Sequence, residues 1–479
     1  MFARGLLVLL ALAVTTVPAL AVPAPPTLAA ALDHILNDPA LRGGVTGAVV
    51  VRVRDGKTLY AHDADLRLLP ASNRKLFTAA AALGVLGDNW TYKTQIVTEP
   101  KPLNASVLWG GSIALRGAGD GALTTADIDN LAAQIAAAGV KFVGNISVND
   151  SLFTDGPYGF GWEWDDLSDE EFPVISSLEV NDGDVHVHVA PGQVGAPAVV
   201  TFTPPYSHSY NVNSTVTVPA NAPNTCVVVR EFGTARVNVS GSLPLGASLD
   251  QNVPVVDPPI YALDVLTHSL EAHKIGLTSA GYIIPDHLPA LSPVLAEHVS
   301  LPMARYLPLM MKPSDNLIAE CLVRTLGAVK GKGGTYEAGH AVETPFFQSL
   351  GVDTTALDLR DGSGVSRRNF VTARAVGQLL LGMSRRTDFK AYYDALPIAG
   401  VDGTLKTRMV GTRAAGNVHA KTGTLSQARA LSGYVTGPNG DMYAFSLLMN
   451  NFPGNARSAG NVQDKFVEFL AGASGPPAH

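Results

Sequence analysis

A serine and a lysine three residues apart begin an apolar, alanine-rich stretch, LPASNRKLFTAAAAL, which runs from Leu69 to Leu83. A serine hydroxyl is a weak nucleophile until a base removes its proton. Residues three apart share a helix face, so Lys75 would lie beside Ser72. Burial lowers the pKa of a lysine and makes its neutral form accessible. The pair therefore predicts a nucleophile with its base, although Ser-x-x-Lys alone often arises by chance.

Two later segments strengthen this prediction. MKPSDNLIAE carries Ser314, Asp315 and Asn316 at the start of a predicted helix, where helix capping is the simpler explanation. HAKTGTLSQ carries Lys421-Thr422-Gly423 where a strand should begin, and there a turn glycine is the simpler explanation. The ordered set Ser-x-x-Lys, Ser-Asp-Asn and Lys-Thr-Gly is that of class A β-lactamases and penicillin-binding proteins. Together the three motifs predict acyl transfer through a serine.

The elements that must position these motifs lie at both ends of the chain. A helix and a hairpin precede Ser72, and a helical block, a second hairpin and a final helix follow from Ala262 onward. We expect one discontinuous α/β catalytic domain from residues 29–89 and 262–472. The intervening residues 90–261 read as short strands between Pro, Gly and Asn turns, and they predict a β-rich insertion of one or two subdomains.

The first residues, MFARGLLVLLALAVTTVPALA, predict a secretory signal peptide over 1–21, followed by an extended linker over 22–28. The alternative is an uncleaved membrane anchor, but the apolar run is short for a bilayer span and contains Pro18. We therefore expect an exported protein of the periplasm or the extracytoplasmic cell envelope.

Composition narrows the classes of function. The 479 residues are 46% apolar and 16% charged, with a net charge of −7, which suits a folded multidomain protein and not a nucleic-acid-binding one. With only two cysteines, Cys226 and Cys321, free thiols are expected rather than a bridge, although one bridge is an alternative.

Beyond the motifs, the chain resembles the class C low-molecular-mass penicillin-binding D-alanyl-D-alanine carboxypeptidases, peptidase family S13. DGSGVSRRNFVT and LPIAGVDGTLKTRM look like further blocks of that family, and GWEWDD resembles part of its insertion. The gap of about 240 residues between Ser72 and Ser314 also suits this group. The resemblance implies a transpeptidase-like, serine β-lactamase-like α/β (α+β) fold with a large β-rich insertion.

The resemblance also implies roles for the catalytic residues. Ser72 would attack the carbonyl between two D-alanines of a peptidoglycan stem peptide, and Lys75 would accept its proton. Ser314 would relay a proton to the leaving amine, and Asn316 would hold the substrate amide. Lys421 would steer the terminal carboxylate and keep the pKa of Lys75 low.

Further residues would bind substrate. Thr422 and Thr424 would bind the terminal carboxylate, with Gly423 between them, and the backbone N–H groups of Ser72 and Thr424 would form the oxyanion hole. Arg367 matches a family arginine that lines the pocket for the stem-peptide side chain. Asp166 and Phe172 fall near family positions, but one extra residue separates them here, and a solvated acidic loop is the alternative.

The sequence is also compatible with other functions. β-Lactams would acylate the same serine, and a β-lactamase is one alternative, although no segment clearly supplies a glutamate for deacylation. Endopeptidase or transpeptidase action shares the chemistry, and a non-catalytic cell-wall binding protein is a further alternative.

No cofactor and no metal is expected. Gly-x-Ser-x-Gly is absent from the sequence. The histidines that could suggest a metal site have unsuitable spacing and are expected to be structural: His186, His188, His268 and His273.

Overall fold

The structure is a computed structural model that describes residues 27–98, 111–204, 210–277, 282–283 and 292–472. The predicted signal peptide and all but the last two residues of the predicted linker lie outside these ranges. Within them, no helix combines the length and the hydropathy that crossing a bilayer requires.

Ten α-helices are found in the described residues. They are α1 (Leu28–Leu36), α2 (Arg74–Ala81), α3 (Thr125–Ala137), α4 (Pro258–Ala272), α5 (Met303–Met311), α6 (Asn316–Lys330), α7 (Tyr336–Ser349), α8 (Ala373–Ser384), α9 (Phe389–Ala395) and α10 (Ala456–Leu470).

The described strands number twenty. They are β1 (Val45–Arg52), β2 (Thr58–His62), β3 (Lys93–Thr98), β4 (Ile113–Arg116), β5 (Phe142–Val143), β6 (Ile146–Asn149), β7 (Asp184–Ala190), β8 (Val199–Thr203), β9 (Tyr210–Asn213), β10 (Val216–Val218), β11 (Val227–Arg230), β12 (Arg236–Ser240), β13 (Ser242–Pro244), β14 (Leu249–Pro254), β15 (Gly276–Leu277), β16 (Tyr282–Ile283), β17 (Val294–Val299), β18 (His419–Leu425), β19 (Ala428–Thr436) and β20 (Met442–Asn450).

A five-stranded antiparallel sheet joins the two ends of the chain, in the order β18-β19-β20-β1-β2. Successive residues of β1 face opposite sides of this sheet. Ala48 and Val50 pack in the core that α1 and α10 cover, whereas Val49 and Val51 pack in the core that includes α2 and α8. The sheet is therefore the middle layer between two layers of helices, with β18 at one edge.

The β-rich part has its own core. Its largest sheet runs in the order β16-β6-β4-β3-β17, and smaller sheets follow the orders β14-β7-β8, β11-β12-β9, β10-β13 and β15-β5. Helices α3 and α4 contribute to the same core, for example through Leu131 and Leu266. Side chains of the strands and of these two helices thus enclose one continuous apolar cluster.

The predicted boundary between residues 261 and 262 falls inside α4. Residues on both sides of it, Tyr261 and Ala262, pack in the core of the β-rich part, and β17 pairs with β3 of the same part. A helical pattern does not tell which core a helix joins. We therefore propose that the insertion continues through Val299, and that the catalytic part resumes at α5.

The insertion packs directly on α6, the helix that starts beside the second motif. Phe153 and Ile175 of the insertion form a small apolar cluster with Leu317 and Cys321 of α6. Cys321 is buried and Cys226 is half-buried, and both carry free thiols. The insertion thereby reaches the region of the catalytic motifs.

Candidate active site

Ser72 lies in a 3₁₀ turn, Ala71–Asn73, that runs directly into α2. Ala71 has a φ of +46°, a conformation uncommon for residues with a Cβ. A Cβ on Gly364 would lie 1.9 Å from the carbonyl oxygen of Ala71, so glycine is needed where this turn and the 361–366 loop meet. The close approach fixes the position of Ser72 against that loop.

Lys75 occupies the next turn, and its side chain is fully buried. Its Nζ donates hydrogen bonds to Oγ of Ser72 at 3.1 Å, to Oδ1 of Asn316 at 2.6 Å and to the carbonyl oxygen of Ser363 at 3.2 Å. Burial lowers the pKa of Lys75 to about 8, while nearby carboxylates, Asp315 foremost, oppose that shift. The lysine is therefore held beside the serine with a pKa low enough to make its neutral form accessible near neutral pH.

The second motif bends the backbone sharply and then starts a helix. Ser314 has a φ of +74°, and Asp315 caps α6 by accepting a 2.7 Å hydrogen bond from the N–H of Ile318. Asn316 is the first residue of α6 and is buried. The capping explanation of this motif is thus correct for Asp315, while the residues on either side of it face the lysines.

The third motif lies on β18, the edge strand of the sheet. Nζ of the fully buried Lys421 donates a 2.8 Å hydrogen bond to Oγ of Ser314 and another, of 3.1 Å, to the carbonyl oxygen of Thr422. Nδ2 of Asn73 donates a 2.9 Å hydrogen bond to the carbonyl oxygen of Lys421. This last bond ties the serine turn to the strand.

The pKa of Lys421 lies well below its usual value, because the amine is buried and the charge of Lys75 is close to it. We expected Lys421 to lower the pKa of Lys75, but burial is the leading cause at Lys75. The two amines therefore share one desolvated region, and each is costly to protonate.

The three motifs line one cleft of about 370 Å³. Its walls are formed by Ser72, Glu171, Phe172, Pro313, Ser314, Asn316, Gly364, Val365, Thr404, Thr422, Gly423, Thr424 and Leu425. At Gly423 a Cβ would lie 2.8 Å from the carbonyl oxygen of Pro70, so the strand can approach the serine turn only with glycine there. The hydroxyls of Thr404 and Thr422 are 2.7 Å apart.

Of the residues expected to select the stem-peptide side chain, only Phe172 lines this cleft. Its ring meets that of Trp162 edge to face, with 5.7 Å between the centroids. Arg367 pairs through Nε with Glu163 at 2.7 Å and through Nη2 with Asp166 at 3.6 Å. Arg367 and Asp166 therefore lie close to each other, but neither residue lines the cleft.

Sequence reasoning missed the contact between Glu171 and Asn316. Nδ2 of Asn316 donates to the backbone oxygen of Glu171 at 2.6 Å and to its Oε2 at 3.1 Å. Nδ2 of Asn316, which was expected to hold the substrate, is therefore already hydrogen-bonded to Glu171 of the insertion. No pattern in DDLSDEE distinguishes this glutamate from its acidic neighbours.

Two buried carboxylates support the loop that carries Ser363, and sequence reasoning gave neither a role. Glu320 accepts the N–H groups of Gly362 at 3.0 Å and of Ser363 at 2.8 Å. Asp361 accepts the N–H of Gly364 at 2.9 Å and Nε1 of Trp162 at 3.1 Å. These bonds fix the carbonyl oxygen that contacts Lys75.

The four histidines considered as metal ligands contact protein groups. His186 and His188 both lie within hydrogen-bond distance of Asp250, at 3.1 and 2.7 Å. His268 contacts the carbonyl oxygen of Asp264 at 2.8 Å, and His273 contacts Asp129 at 3.1 Å. Each contact gives the imidazole a structural explanation.

Comparison with known proteins identifies the family. The model of the D-Ala-D-Ala carboxypeptidase 3 (S13) family matches residues 28–473. The D-alanyl-D-alanine carboxypeptidase of Actinomadura sp. (strain R39) is 39% identical over 463 residues, which cover 93% of this chain and 85% of that protein. D-alanyl-D-alanine carboxypeptidase DacB of Haemophilus influenzae is 27% identical over 455 residues, covering 92% of this chain and 91% of that protein.

The fold has a solved counterpart. The crystal structure of penicillin-binding protein 4 (dacB) from Haemophilus influenzae superposes with a TM-score of 0.80 at 24% identity, covering 92% of this chain and 98% of that one. Its complex with a novel β-lactam superposes with a TM-score of 0.74. The predicted fold class and enzyme class, a serine-type D-Ala-D-Ala carboxypeptidase, are confirmed. The chain belongs to the D-Ala-D-Ala carboxypeptidase 3 (S13) family of serine peptidases.

Proposed function

We propose that this enzyme releases the terminal D-alanine of peptidoglycan stem peptides through an acyl-enzyme on Ser72. The observation that supports the proposal is that residues of all three motifs are hydrogen-bonded to one another around one cleft. Lys75 contacts both Ser72 and Asn316, and Lys421 contacts Ser314. A nucleophile, two amines, a relay hydroxyl and an amide thus surround one space of about 370 Å³.

Acylation begins with neutral Lys75. Its Nζ, 3.1 Å from Oγ of Ser72, takes the hydroxyl proton while Oγ bonds to the carbonyl carbon of the penultimate D-alanine. The oxyanion that forms is stabilised by the backbone N–H groups of Ser72 and Thr424. Such preorganised donors contribute about 3 to 4 kcal/mol to transition-state stabilisation.

Collapse of this intermediate breaks the C–N bond. The leaving nitrogen needs a proton, which the hydroxyl of Ser314 passes on, and the 2.8 Å contact with Lys421 supplies the route by which that hydroxyl is reprotonated. D-Alanine departs, and the ester on Ser72 remains. Lys75 then loses to solvent the proton that it took from Ser72, and Lys421 regains from solvent the proton that it gave, so both amines return to their starting states. Water attacks the ester, neutral Lys75 accepts a proton from that water, and the same proton passes from Lys75 to Oγ of Ser72 as Oγ leaves.

Substrate binding uses the edge strand. Thr422 and Thr424 bind the terminal carboxylate of the substrate, Gly423 keeps the strand close to the serine turn, and Asn316 binds the amide preceding the scissile bond. Phe172 lines the same cleft and contacts the substrate, whereas Arg367 and Asp166 reach the stem-peptide side chain only after their ion pair opens.

β-Lactams acylate Ser72 in the same way. Because the opened ring keeps the amine attached to the acyl group, no leaving group departs and the ester persists. The solved β-lactam complex of the Haemophilus influenzae protein supports this expectation for the present chain. Export to the cell envelope follows from the substrate and from the predicted signal peptide.

The formation and the hydrolysis of the ester on Ser72 distinguish this proposal from two alternatives, a β-lactamase and a non-catalytic binding protein. A β-lactamase would hydrolyse the ester with water rapidly, and Glu171 in the cleft wall is the one observation that favours it. A non-catalytic binding protein would form no ester at all, and the intact set of Ser72, Lys75 and Lys421 argues against it.

The test is D-alanine release from a stem pentapeptide by the mature protein. We expect release by the wild type and none by Ser72→Ala, with similar thermal unfolding of both. Rapid turnover of penicillin without release of D-alanine would favour the β-lactamase, and release by Ser72→Ala would refute the proposal.

A further inference from the structure

A second pocket adjoins the catalytic cleft and is lined by three arginines, Arg408, Arg429 and Arg457. Its volume is about 520 Å³. Thr404 belongs to the walls of both pockets, so the two spaces are neighbours. No step of the proposed reaction uses these arginines.

Positive charge in this pocket exceeds negative charge. Asp464 is the one carboxylate in its wall, and it accepts hydrogen bonds from Nε and Nη2 of Arg408 at 2.9 and 2.6 Å. Arg429 and Arg457 form no ion pair with any described residue. Three guanidinium groups therefore share one carboxylate in the wall of this pocket.

Parts of these guanidinium groups also lack hydrogen-bond acceptors. Nη1 of Arg408 and Nε of Arg429 are buried and have no partner among the described residues. A Cβ on Gly460 would lie 3.4 Å from Nη2 of Arg429, so glycine at this position of α10 leaves room around the guanidinium. An unpaired buried donor is unfavourable, and an oxyanion supplied from outside would offset that cost.

The pocket is connected to the part of the cleft that is assigned to the terminal carboxylate. Arg429 is the partner of Thr424 across the β18–β19 ladder and donates a hydrogen bond to its Oγ1. Thr404, in the shared wall, is hydrogen-bonded to Thr422 at 2.7 Å. The arginines thus lie beyond the terminal carboxylate, on the leaving-group side of the scissile bond.

We propose that this arginine pocket binds a second carboxylate, carried by the leaving group of the substrate. The inference rests on the proposed function, because that function fixes which side of the cleft is the leaving-group side. Guanidinium groups match the planar, two-oxygen geometry of a carboxylate. The enzyme then prefers leaving groups that are larger and more acidic than D-alanine, as in a peptide released from a cross-linked stem.

The test compares two acyl-D-alanyl substrates that differ by one charge. One ends in D-2-aminoadipate, and the other ends in the 6-amide of the same residue. We expect kcat/KM to be about tenfold higher for the acid in the wild type, and this ratio to fall about fivefold in Arg457→Gln, in line with an exposed charge pair. A substrate ending in D-alanine should be cleaved equally by both proteins.

Arg42→Gln is the matched control, since Arg42 is also exposed and lies outside both pockets. It should leave the acid-to-amide ratio unchanged. A ratio near one in the wild type, or the same ratio in Arg457→Gln as in the wild type, would overturn the inference. Absence of any hydrolysis of the D-alanine substrate would instead refute the proposed function.

A binding measurement keeps the pocket testable without turnover. We expect adipate to bind the wild-type protein in calorimetry, to bind Arg457→Gln several-fold more weakly, and to bind Arg42→Gln normally. Tighter binding of inorganic phosphate than of adipate would contradict the assignment to a carboxylate. So would adipate binding that Arg457→Gln leaves unchanged.

Discussion

Nζ of Lys75 lies 3.1 Å from Oγ of Ser72, and both atoms are part of a network that includes the first residue of α6. The lysine reaches the serine because Ser72 lies in the turn that leads into α2 and Lys75 lies in the first turn of that helix. Its pKa is lowered because α2 is buried along its whole length. The geometry and the pKa of the general base thus have one cause, which is the packing of α2.

The first prediction concerns pH. Since the pKa of Lys75 is lowered to about 8, its neutral form should amount to roughly a tenth at pH 7 and should dominate above pH 8. The second-order rate constant for acylation by a penicillin should therefore rise between pH 6 and 9, with a midpoint near 8. Circular dichroism over the same range controls for unfolding. A flat profile would show that Lys75 is not the base.

The second prediction concerns Glu171. Its Oε2 accepts a hydrogen bond from Asn316 and its charge opposes the lowering of the Lys75 pKa. Removal of this side chain in Glu171→Ala should therefore speed penicillin acylation about threefold, the scale of one net hydrogen bond, and should move the pH midpoint downward.

Glu170→Ala is the matched control, because Glu170 is the acidic neighbour and makes no hydrogen bond to Asn316. Its acylation rate should match that of the wild type. Slower acylation in Glu171→Ala would mean that this carboxylate assists the reaction instead of occupying the cleft. Slower hydrolysis of the ester in that variant would point to a role in deacylation.

The third prediction concerns the support of the serine turn. Arg74, two residues after Ser72, forms a 2.7 Å ion pair with Glu343 of α7, and both side chains are fully buried. Glu343→Gln leaves the guanidinium without its counter-charge and should lower the free energy of unfolding by about 3 to 5 kcal/mol. Urea denaturation measures this change.

Glu337→Gln, on the exposed part of the same helix, should change stability by less than about 0.5 kcal/mol. Replacement of both partners, Arg74→Met with Glu343→Leu, should recover most of the loss caused by Glu343→Gln. A loss below about 1 kcal/mol in Glu343→Gln would show that the buried pair does not secure α2.

Sequence reasoning succeeded where the chemistry is local. The spacing of three residues on one helical turn places Lys75 beside Ser72, and β18, the strand that carries Lys421, begins at His419, close to where a strand was predicted to begin. In DVHVHVA, the alternation of valines with polar residues matches β7, with Val185, Val187 and Val189 buried. Each of these features depends on residues that are close together in the sequence.

What the sequence did not predict depends on contacts between distant segments. Glu171 and Asn316 are hydrogen-bonded although they are 145 positions apart in the sequence, and no periodic pattern in the sequence predicts this contact. The pairing of Arg367 with Glu163 and Asp166 likewise follows from how the insertion packs on the catalytic part. Helix α4 reads as an ordinary helix, and only its buried face shows which core it joins.

The central claim is that Ser72 carries the acyl group, and one measurement tests it directly. The mature protein is incubated with labelled penicillin and digested, and the modified peptide is identified by mass spectrometry. We predict one label, on Ser72, within the peptide that also contains Asn73 and Arg74, and no label in Ser72→Ala. A label on Ser314 or on any other residue, or a label that persists in Ser72→Ala, would contradict the account.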